Sequence, residues 1–163
     1  MRFELVQHLP GSPSDAIRLY ADPAFHTSLT GLTKVDTPTL VERTVTADGV
    51  RVRLHYRFTA HLPGAVTAVV DPDRLSWTEE TLYRFEPMTA STVLHPDHYA
   101  DKLTASITSR FEANGADTVR RVAGELKVRM LLVGGQVERA IVSGLEEHLA
   151  EESEQAAARL ARG

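Results

Sequence analysis

Val50-Arg51-Val52-Arg53-Leu54-His55-Tyr56-Arg57-Phe58-Thr59 alternates almost without fault: Val50, Val52, Leu54, Tyr56 and Phe58 share one face, and Arg51, Arg53, His55, Arg57 and Thr59 the other. A period of two is the pleat of a β-strand. One greasy and one wet face are the habit of an antiparallel sheet. Ala47-Asp48-Gly49 stands just before this strand and offers a tight hairpin turn, which pairs it with a strand over 40–46.

Working outward, the spacing predicts further strands over 75–85, 91–95, 102–113 and, after the Asn114-Gly115 turn, 118–130. Each keeps an apolar parity. Trp77, Tyr83 and Phe85 share a face, as do Leu103, Ala105, Ile107 and Phe111, and as do Val122, Leu126, Val128 and Met130. Upstream, 2–9 reads as a strand with Phe3, Leu5 and Gln7 on one side. Two short helices follow, over 13–21, capped by Ser12 or Ser14, and from Asp22-Pro23 to about Leu29, with Gly31 as the stop. From about Gln136 the period becomes helical, with Val137, Ile141, Leu145 and Leu149 on one stripe. The expected fold is therefore α+β, in the order β-α-α-β6-α. A sheet with one greasy face needs a cover, and only the terminal helix is long enough to provide it.

At 163 residues the chain has the length of one domain, 1–163, with a core that needs no covalent staples. Cys 0 excludes disulfides and thiolate metal sites, and no cofactor is expected. A net charge of −4 argues against a nucleic-acid partner. No signal peptide or membrane span is visible, so a cytoplasmic protein is expected. No Walker loop, dinucleotide fingerprint or Ser-His-Asp motif occurs.

This order of elements is similar to the helix-grip fold of the START-like superfamily, also called SRPBCC, which includes lipid-transfer domains, plant allergens and bacterial aromatase/cyclases. More narrowly, the chain resembles the mainly actinobacterial domain-of-unknown-function family 2505. The residues that carry this likeness are Leu62-Pro63, Trp77, Leu126-Lys127-Val128 and Gly134-Gly135-Gln136-Val137-Glu138. The resemblance implies a curved sheet of about seven strands around a long C-terminal helix, with an internal cavity and no assigned reaction. Plant allergens carry a glycine-rich loop where this chain has only Ala47-Asp48-Gly49.

In such a fold the greasy face of the sheet is also the cavity wall. The expected ligand-binding residues are Tyr56, Phe58, Trp77, Glu79, Tyr83, Ile107, Leu126, Ile141 and Leu145, of which all but Glu79 serve equally well as core. Glu79 is different. Strict alternation puts its carboxylate on the apolar face beside Trp77, where it must be paired or raised in pKa, unless a bulge near Glu80 turns it to solvent. Arg120 has the parity to be its partner but sits at a strand start, where exposure is commoner. His95 and His98 flank a Pro96-Asp97 turn and read as loop, so no metal site is expected. Segment 61–74, with its apolar run 65–70, is either a lid over the cavity mouth or a short helix packed on the sheet edge. The acidic run Glu146-Glu147 and Glu151-Glu152-Ser153-Glu154 reads as a solvated helix face.

The leading functional expectation is a non-enzymatic binder or carrier of a small apolar ligand, lipid-like or polycyclic. Two alternatives stand beside it: a cyclase/dehydrase-type enzyme on a polyketide-like substrate, with Glu79 or a tyrosine moving protons, and a protein-interaction module, for which no partner is indicated.

Overall fold

The computed structural model describes residues 1–163, except for the side chain of Ala65, the first residue of the apolar run in segment 61–74. The elements follow the order β1 (Arg2–Leu9), α1 (Pro13–Tyr20), α2 (Pro23–His26), β2 (Thr39–Thr46), β3 (Gly49–Arg57), α3 (Gly64–Thr67), β4 (Ser76–Arg84), β5 (Thr89–Pro96), β6 (Leu103–Asn114), β7 (Asp117–Val128) and α4 (Gly134–Leu160). The strands form one seven-stranded sheet in the order β1-β7-β6-β5-β4-β3-β2, every pair antiparallel. This is the helix-grip arrangement.

The inner face carries the expected parity. Val50, Val52, Leu54 and Tyr56 of β3 are buried, as are Ile107 and Phe111 of β6 and Val122 and Leu126 of β7. Val142 and Leu149 of α4 pack on Phe3, Leu94, Ile107 and Leu126, which come from four different strands. The other half of the core is built on α1 and α2, whose Ile17, Tyr20 and Phe25 are fully buried against Val52, Tyr83 and Phe111. Each such aliphatic or aromatic side chain contributes roughly 1.5–3 kcal/mol by leaving water.

Local chemistry fixes the helix ends. Ser12, not Ser14, caps α1 by accepting from the Asp15 amide, and Asp22 caps α2 through the Ala24 amide. The second helix stops at His26, while Leu29 beyond it is still fully buried. The alternation that runs on to Thr59 leaves the strand at Arg57, because Phe58 turns out of the ladder and makes a lone bridge with Val35. At the last turn Glu138 reaches back to accept from the Val128 amide at 2.8 Å. That bond ties the first turn of α4 to the end of β7, which closes at Val128 and not at Met130.

Segment 61–74 contains the short helix α3 and a 3-10 turn over Pro72–Arg74. Val66 and Val70 are buried against Val137 of α4, so the segment is packed onto the helix over the open end of the sheet. Tyr99 holds it in place: its hydroxyl accepts from the Asp71 amide at 3.2 Å, and Arg74 lies over its ring.

Candidate functional site: an apolar cavity with a polar inner end

Glu79 sits in β4 with no register shift on either side, opposite Leu54 of β3 and Leu94 of β5. No bulge intervenes. Its side chain therefore stays on the inner face, two residues from Trp77, and residues two apart on a strand share a face. The indole Nε1 of Trp77 donates to the Glu79 carboxylate at 3.1 Å. Glu79 is half-buried and lines the inner cavity. Burial pushes its pKa up to about 7, with the Trp77 hydrogen bond working in the opposite direction.

Arg120 is not the partner of Glu79. It is buried, although it lies near the start of β7, because that end of the sheet is roofed by α1 and α4. Its guanidinium donates to Glu152 at 3.0 Å, to Gln7 at 3.1 Å and to Ser109 at 3.4 Å, and it lies 4.1 Å from the centre of the Tyr20 ring. Gln7 in turn donates to the Leu149 carbonyl at 2.8 Å. Glu152 thus departs from the solvated face expected for the acidic run: it is 4% exposed and points inward one turn after His148.

His26 completes the cluster. Its Nε2 lies 2.7 Å from the Tyr20 carbonyl, which can only accept, so Nε2 carries the hydrogen. Its Nδ1 faces Glu152 at 3.5 Å, an ion-pair distance that is long for a hydrogen bond. Burial alone would raise the Glu152 carboxyl, but His26 and Arg120 together outweigh it and hold the pKa down at about 2.

Two cavities meet against these groups. The outer, apolar one has about 90 Å³ of free space between β4–β6 and α4, lined by Phe58, Trp77, Leu94, Ile141, Leu145 and His148 among others. A neighbouring lobe of about 60 Å³ continues it beneath segment 61–74, sharing Trp77, Leu103 and Ile141. The inner cavity, about 30 Å³, is lined by Tyr56, Glu79, Tyr83, Ile107, Arg120 and His148 among others. Leu145 and His148 belong to both the outer and inner walls. A wider cleft of about 330 Å³ between β1 and α4 lies on the surface beside Val6, His8 and Glu146, away from the converging groups.

Of the nine residues expected at the site, Phe58, Trp77 and Ile141 line the outer cavity, Tyr56, Glu79, Tyr83 and Ile107 the inner one, and Leu145 both. Leu126 does not face these cavities. It is fully buried in the cluster that Phe3 of β1, Ile107 of β6 and Leu149 of α4 form. His26, His148 and Glu152 were not singled out from the sequence: two histidines in helices and one glutamate in an acidic run carry no local mark of burial. A period count placing 148, 149 and 152 on the same side as 141 and 145 was the available signal. A Cβ added at Gly144 would stand 4.0 Å from the Phe58 ring, an ordinary contact, so the missing side chain leaves space in the outer cavity wall. His98 is exposed and contacts Arg74, and no cluster of metal-ligating side chains occurs among the described residues. Nor is any helix among them long and apolar enough to cross a membrane.

A family model described as "Protein of unknown function (DUF2505)" matches residues 4–160. The chain belongs to the DUF2505 family. No curated protein matches the sequence. Among solved structures, norcoclaurine synthase from Thalictrum flavum is similar with a TM-score of 0.70 at 16% identity, over 99% of this chain and 94% of that one. An aromatase/cyclase from Streptomyces sp. R1128 gives 0.65 at 10% identity, over 96% and 93%. A START superfamily protein from Mycobacterium smegmatis gives 0.62 at 14%, over 98% of each chain. At these identities the likeness establishes the START/SRPBCC fold of this DUF2505 protein.

Proposed function

We propose that this DUF2505 protein binds a small, mainly apolar molecule between the sheet and α4, with Phe58, Trp77, Ile141 and Leu145 around its body and Tyr56, Glu79, Tyr83 and Ile107 at its inner end. The observation that carries this reading is the pair of adjacent apolar lobes of about 90 and 60 Å³, which share Trp77, Leu103 and Ile141 and are divided from the polar inner chamber by Leu145 and His148. An apolar cavity of about 150 Å³ suffices for a benzene-sized ring. Lipid-like or polycyclic ligands, which occupy roughly 300 Å³ or more, require segment 61–74 to swing away from Val137. Uptake of the neutral dye N-phenyl-1-naphthylamine, with mass spectrometry of the intact protein for co-purified ligand, tests the reading. Enhanced dye emission that an apolar competitor reverses supports it; absence of both dye uptake and ethylbenzene binding overturns it.

A second reading, proton-transfer catalysis of the cyclase/dehydrase type, is favoured by one observation: Glu79, Tyr56, Tyr83 and His148 converge on the same inner cavity. A carboxyl whose pKa stands at about 7 can take and return a proton near neutral pH. The aromatase/cyclase with the same fold lends this reading a substrate class, polyketide-like chains. Turnover of such a chain by the wild type and not by Glu79→Gln is the expected result. Equal turnover by both removes Glu79 from the chemistry.

A further inference from the structure

His148 is 4% exposed and lines both the outer and the inner cavity, yet its ring makes no hydrogen bond with any described residue. Its Nδ1 is sealed from the cavity and has no partner. A sealed N–H without an acceptor costs more than a sealed lone pair, so the ring hydrogen belongs on Nε2, and the ring is a donor along its other edge. Burial also lowers its pKa and keeps the imidazole neutral. The ring is held edge-on to Tyr56, with centroids 5.5 Å apart, and Tyr56 stacks on Trp77 at 5.8 Å with planes 9° apart. This stack fixes the position of the donor.

The neighbouring hydroxyls point the same way. Tyr56 and Tyr83 line the inner cavity, have no hydrogen-bond partner among the described residues, and remain protonated because burial raises both. Charge selects further. Arg120 is paired with Glu152 at 3.0 Å, and Glu79 is held by an indole N–H, so the inner chamber offers no unpaired guanidinium or ammonium to neutralise an anionic ligand. Below pH 7, where the Glu79 carboxyl is mainly protonated, an ammonium group would meet the Arg120 guanidinium with no free carboxylate to balance it. What three neutral donors around a small polar chamber suit is an uncharged acceptor.

We infer that the ligand is a neutral apolar molecule with a single oxygen at its buried end, a carbonyl or a phenolic or alcoholic hydroxyl, received by His148 together with the Tyr56 and Tyr83 hydroxyls. This rests on the proposed binding cavity and adds the chemistry of its inner end. One well-placed hydrogen bond in a dry site is worth about tenfold in affinity.

The experiment compares, at about pH 6 where Glu79 is mainly protonated, ethylbenzene, acetophenone and protonated 1-phenylethylamine, three probes of nearly equal shape, by calorimetry and by methyl NMR shifts of Leu145 and Ile141. The expected result is acetophenone bound about tenfold more tightly than ethylbenzene, and the amine bound more weakly than either. In His148→Leu and in Tyr56→Phe the ratio of acetophenone to ethylbenzene affinity falls to about twofold or less, and His148→Gln, which keeps a donor, restores part of it. Tyr56→Phe removes only one hydroxyl, so the prediction stays testable if His148→Leu fails to fold. Ethylbenzene binding with no acetophenone preference overturns this inference and leaves the cavity reading intact. Tightest binding by the amine also overturns it. Failure of all three probes to bind removes the cavity reading itself.

Discussion

Glu79→Gln is expected to stabilise the protein above neutral pH and to leave it nearly unchanged in mild acid. The folded-state pKa rises from 4.5 to about 7, chiefly through burial. Between those values the folded protein holds a proton that the unfolded chain has released, so stability falls as pH rises through the window, and the whole cost stands above about pH 7. At about 1.4 kcal/mol per pKa unit, the cost comes to about 3 kcal/mol at most, since Glu79 keeps some contact with the inner cavity. Glutamine removes the ionisation while its amide oxygen still accepts from the Trp77 indole. Urea unfolding of both proteins at about pH 4.5 and about pH 8.5 reads the difference, and subtracting wild type from variant cancels the other titrating groups. The chain has one tryptophan, and its Nε1 bonds to this carboxyl, so wild-type Trp77 emission should also titrate with a midpoint near 7 and the variant's should not. The same stability difference at both pH values, with no fluorescence transition, would refute the placement of Glu79 inside.

Arg120→Met removes one member of a buried ion pair and should cost about 3–5 kcal/mol in urea unfolding, with most of it regained in the double variant Arg120→Met/Glu152→Leu. Glu152, held at about 2 in the folded state, contributes stability above its ordinary value of 4.5 and loses it as pH falls toward 2, so the double variant should show a shallower acid-unfolding profile by circular dichroism. An alanine Cβ at Gly124 would lie 2.2 Å from the Phe3 ring, so Gly124→Ala should destabilise by about 1–3 kcal/mol in thermal unfolding, and Phe3→Leu in the same chain should recover part of the loss. Tyr99→Phe frees the Asp71 amide and loosens segment 61–74, which should speed N-phenyl-1-naphthylamine uptake several-fold in stopped-flow measurements without changing uptake of ethylbenzene.

The strand-by-strand outline, the long covering helix and the inner face of the sheet were legible because alternation and helical period are local properties, repeated over many residues. Val50 to Phe58 declares its pleat without reference to anything distant. The same parity put Glu79 beside Trp77, and the structure keeps it there because neither neighbouring strand inserts a residue.

Which polar groups lie buried was decided only in three dimensions. Arg120 is at a strand end, Glu152 in an acidic run and His148 and His26 in helices, and each has an ordinary local sequence. Their burial follows from α1, α2 and α4 closing over one end of the sheet, which brings residues more than a hundred positions apart into contact, as Gln7 and Arg120 are. Charge pairing across such distances leaves no periodic trace in the chain. Cavity size is likewise a tertiary outcome: the sequence names the wall, but whether Leu126 packs shut or Trp77 borders open space depends on how closely α4 settles onto the sheet.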